Sequence, residues 1–152
     1  LMGNNSFGAA TPTVVRAGGT VRLNGDTLYL QFMNPAGDVT LSAAGDITVN
    51  NFGLQASSLT ANAGGRLSAT SSSNQIATVH GLSGTSIDFA SSGFTLDGNV
   101  TATNGATLTA TSGGIAQTAG TISAASATLG AAGGSVVQSG NAKIVAPSLS
   151  VT

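Results

Sequence analysis

The sequence predicts an all-β protein, a parallel β-helix (a solenoid) of about six to seven coils with a period of about 20 residues. Copies of one degenerate sequence repeat begin at Asp38, Ser58, Ala106 and Ala127. Apolar and polar residues alternate within these copies, and the 22 Gly and 3 Pro disfavour long helices. Self-similarity at this period means that one structural unit is stacked on itself.

Strands are predicted from apolar–polar–apolar triplets, which place one face inward and the other in water. The inward anchors of successive coils are expected at Val21, Val39, Leu59, Ile87, Leu108, Leu129 and Leu149. Most neighbouring anchors are separated by close to one period, but the interval between Leu59 and Ile87 is clearly longer. We expect apolar ladders inside the stack and ladders of Thr, Ser and Asn outside it.

Each coil is expected to hold a second strand and a third short stretch, with glycine at the corners. Residues 47–49 and 94–96 are examples of the second strand, and residues 100–102 of the third. Glycine recurs between the strands, for example at positions 64–65 and 113–114. Such positions suit a corner in which the backbone needs positive φ and no side chain.

The spacing of the anchors divides the chain into two parts. Residues 18–152 are predicted to form the β-helical shaft, and residues 1–17 an irregular lead-in or the end of an upstream coil. Neither end has the character of a polar cap, so we expect an excerpt of a longer protein. The long interval between Leu59 and Ile87 predicts a loop or an enlarged coil at 70–85.

Insertions in solenoids often carry binding, so the 70–85 segment supplies the candidate interaction surface. Its candidate residues are Ser72, Asn74, Gln75 and His80. The alternative is a neutral bulge without a binding role.

Composition excludes several functional classes. Only 6% of the residues are charged and the net charge is −1, so nucleic-acid binding is not expected. No apolar run reaches the roughly 18 residues of a membrane-spanning helix, so no membrane insertion is expected. With no Cys, thiolate metal sites and Cys nucleophiles are excluded, and no cofactor is expected.

Catalysis requires titratable groups that converge in a pocket, and this chain has few of them. Asp38 and Asp46 follow Gly at predicted corners, where turn chemistry explains them. Asp88 is expected to face outward, and with Asp97 it is an alternative site for sugar or calcium. His80 lacks neighbouring metal ligands in the sequence. We therefore expect no enzyme activity.

Residues 37–49, Gly-Asp-Val-Thr-Leu-Ser-Ala-Ala-Gly-Asp-Ile-Thr-Val, resemble the repeat of filamentous-haemagglutinin-type exoproteins of two-partner secretion, and residues 113–122 are similar to it. The resemblance implies a right-handed parallel β-helix in a secreted fibre at a bacterial cell surface, which mediates adhesion, aggregation or biofilm formation. The implied partners are a receptor or glycan on a host or neighbouring cell. Residues 34–37, Asn-Pro-Ala-Gly, match the family's secretion motif poorly, so a shaft is expected rather than the secretion domain.

Two other functional classes remain open. The first is a self-assembling extracellular filament subunit, joined to adjoining repeats or to neighbouring subunits end to end by β-strand addition. Residues 135–142 resemble curli-type repeats once. The second is a carbohydrate-active β-helix enzyme, which the small number of acidic residues disfavours.

Overall fold

The structure is a computed structural model that describes residues 13–17, 19–35, 37–50 and 53–152, with side chains described for 19–30, 37–50 and 53–152. Every regular element in these ranges is a β-strand. The strands are β1 (Thr13–Ala17), β2 (Val21–Gly25), β3 (Leu28–Pro35), β4 (Asp38–Ala43), β5 (Ile47–Val49), β6 (Gln55–Ala63), β7 (Leu67–Ala69), β8 (Gln75–Gly84), β9 (Ile87–Ser91), β10 (Phe94–Ala102), β11 (Gly105–Ala110), β12 (Ile115–Gln117), β13 (Thr121–Ser123), β14 (Ser126–Ala131), β15 (Val136–Gln138), β16 (Lys143–Val145) and β17 (Ser148–Val151).

The strands form two parallel sheets that wind as a β-solenoid of about six turns. The eight-stranded sheet has the order β1-β3-β5-β7-β9-β11-β14-β17. The nine-stranded sheet has the order β15-β12-β10-β8-β6-β4-β2, with β13 beside β10 and β16 beside β13. Each coil therefore adds strands to both sheets, and the predicted all-β parallel solenoid with its period of about 20 residues is confirmed.

The coils have three sides, two of which belong to the nine-stranded sheet. The long strand β10 pairs through residues 94–96 with β12 and through residues 100–101 with β13. The pairing between β6 and β8 shifts register after Leu59, and that between β8 and β10 shifts after Leu96. These shifts mark the corner between the two sides, because an extra residue in one strand bends it locally.

The structure corrects the register that the sequence predicts between residues 59 and 87. Leu59 lies in the nine-stranded sheet and is aligned with Val79 of the next coil. Ile87 lies in the eight-stranded sheet and is aligned with Leu67 of the preceding coil. The long interval between Leu59 and Ile87 therefore joins two different sheets, and it contains no insertion. The expected loop or enlarged coil at 70–85 is wrong, because residues 75–84 form β8 in an ordinary coil.

Part of the predicted lead-in belongs to the solenoid. Residues 1–12 lie outside the described residues, so an irregular lead-in there stays a prediction. Thr13–Ala17 forms β1 and pairs in parallel with β3.

Apolar side chains fill the interior as columns that run along the stack, as predicted. Side chains in the same column are aligned by the strand register, and one column holds Leu23, Leu41, Ala61, Leu82, Val100, Ile122 and Ile144. Leu28, Ile47, Leu67, Ile87, Ala106, Ala127 and Leu149 form another in the eight-stranded sheet. Burial of each large aliphatic side chain stabilises the fold by about 1.5–3 kcal/mol.

Most corner glycines are explained by close packing, not by the positive φ that was expected. Among the described residues, only Gly53, Gly120 and Gly140 have positive φ, with values of 87°, 73° and 64°. A Cβ on Gly64 would instead overlap the carbonyl oxygen of Ala44 in the preceding coil. Glycine at such a corner lets two coils approach to the spacing of a β-sheet.

We expect Leu108→Asp to lower the free energy of unfolding by about 3–5 kcal/mol or more, because it places an unpaired charge at a fully buried inward position. Urea denaturation followed by far-ultraviolet circular dichroism measures the effect. Thr128→Asp is the matched control on the outward face, and it should change stability by no more than about 0.5 kcal/mol. Equal stability of the two variants would show that the inward register is wrong.

Candidate functional site

The four candidate residues of the 70–85 segment do not form one surface. Ser72 is exposed in the turn between β7 and β8, which is closed by the amide of Asn74 donating to the Ser71 carbonyl oxygen at 3.1 Å. Gln75 and His80 are exposed on β8. Asn74 is 0% exposed, so its side chain faces the interior and is not available to a partner. The prediction that Asn74 belongs to an interaction surface is therefore wrong.

The buried side chain of Asn74 forms hydrogen bonds with the backbone of three successive coils. Its Oδ1 accepts a hydrogen bond from the amide of Leu54 at 2.7 Å. Its Nδ2 donates to the carbonyl oxygens of Ala69 at 2.9 Å and Ala90 at 2.8 Å. The buried Ser91 hydroxyl oxygen next to it accepts from the amide of Ile76 at 2.9 Å. Backbone groups that the turn leaves without strand partners are satisfied in this way, so the role of Asn74 is structural.

His80 pairs with Asp97 at the corner within the nine-stranded sheet. The distance from His80 Nδ1 to Asp97 Oδ1 is 2.7 Å, and the two side chains are 50% and 37% exposed. The two residues lie where the register shifts in β8 and β10, so the corner geometry brings them together. Sequence reasoning did not pair them, because the pairing depends on the correct register between these two strands.

An ion pair between Arg66 and Asp88 lies on the eight-stranded sheet. Arg66 Nη2 contacts Asp88 Oδ2 at 2.5 Å, and the Arg66 amide donates to Asp46 Oδ1 at 2.7 Å. Asp88 lies between the buried Ile87 and Phe89 and faces outward, as expected. Half-exposed pairs of this kind contribute about 0–1 kcal/mol to stability.

Asp88 and Asp97 are not brought together as a sugar or calcium site. Asp88 lies in β9 of one sheet and Asp97 in β10 of the other, and each carboxylate contacts its own basic partner. In the part of the chain that the structure describes, no group of three or more His, Cys, Asp or Glu residues could hold a metal ion. Asp38, expected to serve turn chemistry, accepts a hydrogen bond from the Ser58 hydroxyl at 2.7 Å.

The outward faces carry columns of small polar side chains, as the sequence predicts. Successive strands of the eight-stranded sheet align Thr48, Ser68, Asp88, Thr107, Thr128 and Ser150. The nine-stranded sheet aligns Ser42, Asn62, Ser83, Thr101 and Ser123, and the Ser83 hydroxyl donates to Asn62 Oδ1 at 3.0 Å. Neighbours in a column are about 4.8 Å apart, so the faces are regular arrays of hydrogen-bonding groups.

A shallow groove of about 490 Å³ follows the glycine corner of the nine-stranded sheet. Gly93, Gly114 and Gly134 line it together with Thr95 and Val137. The repeated glycines in the sequence indicate the corner but not the groove, because its depth depends on the small outward residues of adjacent strands.

Gln117 and Gln138 form an amide ladder in the interior, which was not predicted from the sequence. Gln117 is 2% exposed and continues a column of Val21, Val39, Leu59, Val79 and Leu96. Its Nε2 donates to the carbonyl oxygens of Gly120 at 3.2 Å and Lys143 at 3.0 Å. Gln138, the next residue of the column, donates to Gln117 Oε1 at 3.1 Å. The sequence feature that indicates this ladder is a Gln at the third position of two successive triplets, 115–117 and 136–138.

Four large apolar side chains of the last described coil are exposed, two of them on its outward face and two at inward positions. Val137, Val145, Leu149 and Val151 are its exposed large side chains. Within the described ranges no helix is long and apolar enough to cross a membrane.

We expect Asn74→Asp to make the protein less stable as pH rises. The new carboxyl would face the Ala69 and Ala90 carbonyl oxygens, so burial and these oxygens raise its folded-state pKa above its unfolded value of about 3.9. Stability is then fully present below about pH 3.9 and is lost as pH rises through the raised pKa. Urea midpoints at several pH values measure it. Ser72→Asp, in the exposed part of the same turn, is the control and should show no comparable loss.

We expect Asp88→Asn to change the free energy of unfolding by less than about 1 kcal/mol, because the Arg66–Asp88 pair is largely solvated. Thermal denaturation measures the effect. The same variant tests the carbohydrate-active alternative. If the chain cleaved a polysaccharide and Asp88→Asn abolished the cleavage, the expectation of a non-enzymatic protein would be wrong.

Comparison of the chain with models of protein families, with curated proteins and with solved structures gives no match. The parallel β-solenoid is therefore the level at which the chain is classified.

Proposed function

We propose that the chain is a structural and adhesive shaft segment of a large secreted bacterial surface fibre, and that it supports cell adhesion, aggregation or biofilm formation without catalysis. The observation that carries the proposal is the continuous parallel register of both sheets from β1 to β17. A stack of this kind gains length coil by coil at a constant cross-section. Seven strand spacings in the eight-stranded sheet correspond to a segment of about 34 Å.

The surface chemistry supports an adhesive role of low specificity. The columns of Thr, Ser and Asn on both sheets offer donors and acceptors at a regular spacing, with few charges between them. Such a surface can form many weak hydrogen bonds to the hydroxyl groups of a glycan, and repetition along a fibre would add them together. The ligand class that fits it is a neutral glycan on a host or neighbouring cell.

The segment's ionisable groups support a non-catalytic role. The pairs Arg66–Asp88 and His80–Asp97 lie on different sheets and are separated by the corners of the coil. A glycoside-cleaving site needs two carboxyl groups that flank one bond. We therefore assign Arg66–Asp88 to surface ion pairing and His80–Asp97 to a surface hydrogen bond.

A second candidate function is an extracellular filament subunit joined by β-strand addition. The resemblance of residues 135–142 to curli-type repeats supports it. In this alternative the function lies at the end of the stack, whereas in the shaft proposal it lies along the sides.

Beads coated with the folded chain should adhere to cells or to immobilised neutral glycans more than uncoated beads do. Leu108→Asp beads should lose adherence, because the outward columns exist only in the folded stack. The double variant Thr107→Ala and Thr128→Ala should lower adherence while the thermal midpoint stays within a few degrees of the wild type.

The matched control is the double variant Thr101→Ala and Ser123→Ala on the nine-stranded sheet, which shows which face is used. Adherence of the wild-type chain no greater than that of the unfolded Leu108→Asp variant would contradict the adhesive part of the proposal.

A further inference from the structure

The corner between the two sides of the nine-stranded sheet grows along the stack. In each coil it is flanked by two inward side chains, and these belong to two columns that stay in register. The residues between them number one from Leu59 to Ala61, two from Val79 to Leu82, three from Leu96 to Val100 and four from Gln117 to Ile122. Because both columns stay aligned, the added residues bulge outward and form a ridge along the solenoid, the corner ridge.

The first residue of the corner ridge in successive coils is polar and exposed. These residues are His80, Asp97 and Thr118, which directly follow the aligned inward positions 79, 96 and 117. His80 Nδ1 lies 2.7 Å from Asp97 Oδ1, so the first two side chains are in direct contact. Neighbouring coils are about 4.8 Å apart, and the ridge therefore presents a row of hydrogen-bonding groups parallel to the solenoid axis.

The shallow groove of about 490 Å³ lies directly beside the corner ridge. Thr95 and Ala116 line the groove, and one inward residue separates them from Asp97 and Thr118 of the ridge. Two residues along a strand span about 6–7 Å, so the groove and the polar row are close neighbours. The lining residues of the groove are small or apolar and carry no charge. The result is an uncharged strip with a polar border on one side.

This arrangement matches the chemistry of an extended chain of neutral sugars. In a β-linked chain of pyranose rings, the CH groups form apolar faces and the equatorial hydroxyl groups point out from the edges. One sugar unit is nearly as long as the spacing of about 4.8 Å between coils, so successive units can meet equivalent positions of successive coils. An anionic polysaccharide fits less well, because no lining residue of the groove is a cation.

We propose that the groove binds an extended, β-linked, neutral glycan that runs along the solenoid axis. The sugar rings lie over Gly114 and Ala116, and their hydroxyl groups face Asp97 and Thr118. The Asp97 carboxylate accepts hydrogen bonds from the hydroxyl groups, and its contact with His80 holds it in place, which reduces the entropy lost on binding. The choice of a glycan rests on the proposed adhesive function, to which this inference adds the binding site and the linkage class.

Isothermal titration calorimetry with a soluble oligosaccharide tests the site separately from cell adherence. The wild-type chain should bind cellotetraose, a β-linked tetramer of glucose, in a saturable manner. Maltotetraose, the α-linked isomer, should bind at least about 5-fold more weakly, because its curved chain cannot follow the row of coils. Equal binding of the two tetramers would overturn the assignment of an extended β-linked chain.

Two pairs of variants locate the binding site. Ala116→Lys places a long side chain across the groove and should raise the Kd for cellotetraose at least about 10-fold, whereas its matched control Thr128→Lys, outward on the eight-stranded sheet, should leave the Kd unchanged. Asp97→Ala removes the acceptors of the polar row and should raise the Kd at least about 3-fold, whereas Asp88→Ala on the other sheet should not. Far-ultraviolet circular dichroism shows that each variant is folded.

The outcomes separate this inference from the proposed function. If Ala116→Lys and Thr128→Lys had the same effect on cellotetraose binding, the groove would be excluded as the site. A wild-type chain that adheres to cells but does not bind cellotetraose would overturn this inference and leave the adhesive function standing. Binding of cellotetraose that only the groove variants weaken, without adherence of coated beads, would support the site and contradict the adhesive function alone.

Discussion

The structure depends on hydrogen bonds between strands that lie one coil apart. The backbone groups of a strand such as β11 are satisfied by β9 on one side and β14 on the other, and never by a hairpin partner. A single coil leaves these groups and its inward row of apolar side chains exposed, so it has no stability alone. The columns of the core, the outward ladders and the glycine corners all follow from keeping successive coils in register at about 4.8 Å.

That register explains why polar side chains are found inside a mainly apolar stack. Where the chain turns a corner, backbone groups leave the strand ladder and need other partners. Asn74 supplies them at the turn before β8, and Gln117 does so where β12 gives way to β13. Among the described residues no buried side-chain nitrogen or oxygen lacks a partner. The chemistry in the interior thus serves the fold, while the outward faces remain for interactions.

The sequence was sufficient for the fold class because two independent patterns agreed, the regular repeat and the alternation of triplets. It was not sufficient for the register, because the strands of both sheets have the same alternation. From the sequence alone, the position equivalent to Leu59 in the next coil could be either Val79 or Ile87. Because Ile87 was taken as the equivalent of Leu59, a loop with a candidate interaction surface was predicted at 70–85, and Asn74 was included in it. The pairing of His80 with Asp97 and the amide ladder of Gln117 and Gln138 depend on spatial neighbours one coil apart, which the sequence reveals only after the register is known.

The alignment of equivalent positions in successive coils makes the solenoid modular. Val39, Leu59 and Val79 occupy the same position in three successive coils, and the two intervals between them are equal. Removal or duplication of one such interval would rejoin equivalent positions and leave every inward column continuous. A change of a few residues is accommodated at a corner, because the aligned pairs Val21–Val39 and Val79–Leu96 belong to the same continuous column although their intervals are shorter. A chain of this kind can therefore vary in reach by whole coils while the chemistry of its faces stays the same.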